Sequence, residues 1–117
     1  MKNKFIFLAL AILLIGGSSF ADNAQRKIST GVLSTSQSIT TVPGTIYDVE
    51  IVATAAGGYA VLFDSENNDL TGKKELVELR EASQSNSKHA NLGESGILAY
   101  KGIYLYLNNA TAIVYYY

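Results

Sequence analysis

The sequence predicts an all-β protein, an antiparallel β-sandwich or jelly roll of about seven or eight strands. Three observations carry this. Residues 46–55 and 103–117 alternate side-chain types with the two-residue period of a strand. Turn signals built from Gly, Asn or Pro interrupt such segments at intervals of roughly 8–12 residues. No stretch reads as a helix outright; residues 75–82 fit either a helix or a strand.

Residues 1–21 stand apart from the domain. Lys2 and Lys4 form a basic start, residues 5–15 are an unbroken apolar run, and small residues at Ser19 and Ala21 precede Asp22. That is the pattern of a signal peptide cleaved after Ala21. The run is shorter than the roughly 20 residues a membrane span needs. The expected product is exported to the periplasm, the cell surface or the medium. Residues 22–27 (DNAQRK) read as a flexible polar arm, and residues 28–117 as one β-sandwich domain.

Within that domain, residues 28–41 are rich in Ser and Thr and suit one or two strands. Val42-Pro43-Gly44-Thr45 is a turn, with Pro setting φ and Gly free to adopt positive φ. In residues 46–55, Tyr47, Val49, Ile51, Ala53 and Ala55 share one side, while Asp48, Glu50 and Thr54 share the other. Ala56-Gly57-Gly58 turns the chain into residues 59–64, read as a second hairpin with Tyr59, Val61 and Phe63 on its core side. Residues 65–74 form a polar loop. Residues 75–82 (ELVELREA) contain helix formers, but Val77 and Leu79 with an outward Glu78 suit an edge strand in an all-β setting. Residues 83–96 read as a long loop or irregular strand, and 97–100 as a short strand.

The chain closes with GIYLYLNNATAIVYYY. Two runs flank Asn108-Asn109-Ala110, and Asn tolerates the left-handed backbone of tight turns. A terminal hairpin with a two-residue loop sets Leu107 opposite Ala112, Leu105 opposite Val114 and Ile103 opposite Tyr116 on a core side. Tyr104, Tyr106, Ile113 and Tyr115 then share the other side as a candidate interface. A three-residue loop would slip the register and move Ile113 and Tyr115 to the core side.

Composition excludes several functions. There is no cysteine, hence neither disulfides nor thiolate chemistry. Without Lys2 and Lys4, seven basic residues face ten acidic ones, a net charge of −3, which is unsuited to nucleic acid. The only histidine, His89, sits in a polar stretch and reads as a surface residue. No serine lies in a nucleophile-elbow pattern, and Glu75, Glu78 and Glu81 read as a charged edge. Asp64, Glu66, Asn68 and Glu75 occupy the first, third, fifth and twelfth positions of a calcium-loop spacing. Asp69 stands where that loop needs glycine, so a hydrated loop is the expectation. Asn109-Ala110-Thr111 matches a glycosylation acceptor but suits a turn. No catalytic residue, cofactor or metal is expected.

The segments GVLSTSQSITTVPGTIYDVEI, AAGGYAVLFDS, ELREA and KGIYLYLNNATAIVYYY, in that order, resemble small bacteriophage-type β-sandwich proteins. Some of these are virion structural or decoration components. The resemblance covers residues 31–117 and implies a β-sandwich with a non-enzymatic, assembly-type role; the signal peptide is a departure from that group. The expected function is an exported structural or assembly subunit, with a homo-oligomer or larger protein assembly as partner and no membrane span after cleavage. A secreted module that binds carbohydrate or another ligand through exposed tyrosines is the alternative.

Overall fold

The computed structural model describes residues 27–117. The predicted signal peptide and residues 22–26 of the predicted arm lie outside them. Among the described residues nine strands form: β1 (Ile28–Ser29), β2 (Gln37–Thr40), β3 (Gly44–Ala53), β4 (Gly58–Asp64), β5 (Glu75–Glu81), β6 (Ser87–Asn91), β7 (Ile97–Ala99), β8 (Ile103–Asn108) and β9 (Ala110–Tyr116). One sheet has the order β1-β9-β3-β6, with β7 also on β3; the other has the order β2-β8-β4-β5. All pairings are antiparallel. The chain crosses between the sheets at most connections, with β4 and β5 paired within one sheet and β6 and β7 both on β3, and this strand order is that of a jelly roll, one of the two predicted architectures.

Neither predicted hairpin forms. β8 joins β2 and β4, whereas β9 joins β1 and β3. The turn between them, with Asn109 at φ 52°, carries the chain from one sheet to the other. β3 and β4 are likewise split between sheets by the turn at residues 54–57. The two corners stack: Thr54 N–H donates to the Asn109 carbonyl at 2.9 Å. Ile103, Leu105, Ala112 and Val114 do face a common interior, but across the core rather than along a hairpin ladder. Folding one strand over the other buries their apolar sides against each other and leaves every backbone edge free to pair with a different strand.

The interior is aliphatic. Ile46, Val49 and Ile51 of β3, Leu62 of β4, Ile103 and Leu105 of β8, and Val114 of β9 are almost wholly buried. Predicted core residues Val49, Ile51, Leu105 and Val114 are among them. Phe63 is a correction: β4 turns Ala60 and Leu62 inward, so Val61 and Phe63 point out and Phe63 is only half-buried. Val61 is still covered, flanked across the strands by Tyr106 and Glu78. A bulge in β3 skips Tyr47 between Ile46 and Asp48, which keeps Ile46 in the core.

Residues 75–81 are a strand because Leu79 reaches the core and β4 offers an open edge; tertiary pairing overrides the helix formers. Of the two readings of residues 83–96, long loop or irregular strand, the strand holds for Ser87–Asn91, where β6 pairs with Asp48–Val52 of β3. Only Ala90 of that strand packs on the core, so its polar residues give no alternating apolar signal. Polar edge strands also discourage edge-to-edge aggregation.

Candidate functional site

Tyr104, Tyr106, Ile113 and Tyr115 do not share a face. β8 and β9 belong to different sheets, so Tyr104 and Tyr106 lie on the outside of one and Ile113 and Tyr115 on the outside of the other. The outward side of β8 gains new neighbours instead. Tyr104 lies across from Phe63, and Tyr106 across from Val61; Asn108 lies across from Tyr59. The two central strands of this sheet therefore turn Tyr59, Val61, Phe63, Tyr104 and Tyr106 to one side. Sequence reading found Tyr104 and Tyr106 but placed Tyr59 and Phe63 on the core side.

The face has internal order. The Tyr59 and Tyr106 ring centroids are 5.8 Å apart with planes tilted by 31°. The Arg80 guanidinium lies 4.8 Å from the Tyr59 ring centroid, and its Nε donates to the Glu78 carboxylate. Hydrogen bonding to the Tyr59 side chain, then charge interaction with it, then burial raise the Tyr106 phenol above its ordinary value. Glu75, Glu78 and Arg80 of β5 border the aromatic residues on one flank, and Ser38 of β2 borders them on the other.

The opposite outer face is more polar. Cross-strand pairs bring Asp48 beside Asn91 and Glu50 beside His89. His89 thus lies in β6 rather than in a loop, and its Nε2 contacts the Asp48 carboxylate. Lys27 caps this face, with its ammonium 5.1 Å from the Tyr47 ring centroid. Among the described residues, no group of three or more His, Cys, Asp or Glu side chains is placed to hold a metal ion.

The calcium-like spacing resolves into a structural carboxylate. Asp64 is buried, and its Oδ1 accepts the Lys101 backbone N–H at 2.7 Å. Burial pushes its pKa up, but hydrogen bonds from the backbone of Lys101, Tyr100 and Gly102, with the Lys101 charge, outweigh burial and hold it below the ordinary carboxylate value. Glu66, Asn68 and Glu75 are exposed. Asn67 and Asp69 accept backbone N–H groups of their own loop. Because the folded pKa lies below the unfolded one, Asp64 contributes stability above its unfolded pKa, and that contribution is lost as pH falls through the folded value. Asp64→Asn is expected to lower stability by about 1 kcal/mol at neutral pH, the difference between a charge-assisted and a neutral hydrogen bond. The gap between variant and parent should close on acidification. Urea midpoints measured across the acid range check this, and a gap independent of pH would refute it.

Asn109 of the glycosylation-like triplet serves the corner between β8 and β9, its side-chain amide reaching the Ala56 carbonyl at 3.5 Å. No helix among the described residues is long and apolar enough to cross a membrane. No family model, curated protein or solved structure matches the chain.

Proposed function

We propose that the protein is an exported, non-enzymatic structural subunit that assembles with further copies through the outer face of the β2-β8-β4-β5 sheet. One observation carries this reading. The central strands β8 and β4 turn three tyrosines, a phenylalanine and a valine outward, where antiparallel sandwiches ordinarily place polar residues. An apolar patch of that kind is seldom left open on a monomer. The charged flank of Glu75, Glu78 and Arg80 supplies the polar rim that interfaces carry.

The same residues are poorly arranged as a sugar-stacking platform. Arg80 occupies one side of the Tyr59 ring, and the Tyr59 and Tyr106 rings are inclined to each other. A packed interface accommodates tilted rings; a flat ligand does not.

Light scattering on residues 22–117 tests the proposal. The parent is expected to be multimeric. Tyr104→Ser with Tyr106→Ser should stay folded by circular dichroism and shift to a smaller species. Loss of a well-packed interface tyrosine costs roughly 2 kcal/mol, about thirtyfold in dissociation constant. Ile113→Ser with Tyr115→Ser, on the other face, should leave the mass unchanged. A parent that remains monomeric at high concentration would sink the assembly reading.

A further inference from the structure

The β2-β8-β4-β5 sheet ends in an open edge. Among the described residues β5 pairs with β4 alone. It runs for seven residues, against two to five for β1, β7, β2 and β6 at the other margins. The Gly57 N–H donates to the Ala82 carbonyl at 3.1 Å, one step beyond the pairing of Gly58 with Glu81. Hydrogen-bonded pairs alternate along an antiparallel ladder, so Arg80 and Glu78 also aim their backbone groups at β4. Val77, Leu79 and Glu81 aim theirs away from the sheet, and among the described residues no other segment takes them up. Open edges are commonly blunted by a proline or a bulge. β5 has no proline, and its bulge falls at Leu76, before the stretch from Val77 to Glu81 begins.

We infer that β5 pairs antiparallel with β5 of a second copy, about a two-fold axis at Leu79, and joins the two sheets into one. The register carries the inference. Centred on Leu79, it sets Leu79 against Leu79 and Val77 against Glu81, the residues whose backbone groups face the open edge. It also sets Glu78 opposite Arg80 of the second copy, and Arg80 opposite Glu78. These are non-hydrogen-bonded positions, where facing side chains stand closest. Moving the axis to Glu78 would oppose two glutamates, and moving it to Arg80 would oppose two arginines. Of these three registers, only the first matches opposite charges, so the strand is complementary to itself in one alignment.

The side chains are placed for this. Glu78 and Arg80 lie on the outer side, across from Val61 and Tyr59, and are 37% and 68% exposed. Arg80 uses its Nε on Glu78 of its own strand, and its ring contact with Tyr59 steadies the guanidinium. The two Nη groups have no partner among the described residues, and a guanidinium carries enough donors to serve a second carboxylate. A strand of unrelated sequence would satisfy the backbone but not this charge pattern. The contact uses the strand edge and does not depend on assembly through the aromatic face.

Sedimentation velocity on residues 22–117 carrying Tyr104→Ser and Tyr106→Ser tests the edge apart from that face. This protein is expected to form a concentration-dependent dimer. Glu78→Arg or Arg80→Glu, each added to it, should weaken the dimer by about tenfold or more, because two attractive pairs become repulsive. Both side chains are exposed, so circular dichroism should not change. Mixing the two charge variants should restore dimers, since each then presents the charge that the other lacks. A protein with the two tyrosine changes that stays monomeric would overturn the inference, and would leave the aromatic-face reading standing if the parent is multimeric. A dimer indifferent to both charge reversals, or no recovery on mixing, would also overturn it. Dimers of equal mass from the parent and the tyrosine variant, with the charge effects as stated, would support the edge and sink the face.

Discussion

Leu105→Ala is expected to lower the unfolding free energy by about 2–5 kcal/mol, the range for truncating a fully buried leucine. Leu105 has no accessible surface. It sits on the central strand β8, bonded on one side to β2 and on the other to β4, with Leu62 as its cross-strand partner. The β-sheet ladders on both sides limit collapse of the backbone into the void. A domain of this size is held by only about 5–15 kcal/mol, so the variant should lose a large share of its stability. Urea unfolding followed by tyrosine fluorescence measures it. A midpoint close to that of the parent would mean that Leu105 is not in the core. Tyr106→Ala, the next residue but on the outside, should cost the isolated domain much less.

Gly58→Ala should also destabilise strongly, by roughly 1–3 kcal/mol or more, because the added methyl has nowhere to go. A Cβ there would lie 2.6 Å from the Asn109 carbonyl oxygen and 2.9 Å from the Ala53 Cβ. The first is backbone, so relief requires moving a whole corner of the sandwich. This is the point where the corner between β3 and β4 stacks on the corner between β8 and β9. Gly57 provides the control. It has φ +75° and open space around it, so Gly57→Asn, which tolerates that backbone conformation, should be nearly neutral. Equal effects at both positions would show that strain in the turn, and not the close approach of the corners, governs stability. If the corners were ordinary hairpin turns, Gly58→Ala would be mild.

The candidate face was half legible before folding. Alternation along residues 103–107 put Tyr104 and Tyr106 opposite Ile103 and Leu105, and that separation holds. Tyr59 and Phe63 were assigned to the wrong side because β4 is apolar on both sides, so a two-residue period cannot say which side is core. Their juxtaposition with Tyr104 and Tyr106 depends on β4 lying beside β8, a pairing between segments about forty residues apart. Edge strand β6, in a segment read as a long loop or irregular strand, was only partly legible for the converse reason, since it turns almost nothing apolar inward.

By itself the sequence determined an all-β chain, the turn positions near Gly57 and Asn109, and the inward sets Val49 and Ile51, Leu105 and Val114. These follow from local chemistry: side-chain alternation, and backbone conformations that Gly and Asn adopt at little cost. Only the tertiary structure decided which strands pair. A hairpin and a sheet-to-sheet corner use the same kind of turn and hide the same apolar side. What separates them is where each backbone edge finds its hydrogen-bond partners. β9 finds them on β1 and β3, and β8 on β2 and β4, so the closing segment became two layers of a jelly roll and its aromatic residues were divided between opposite faces.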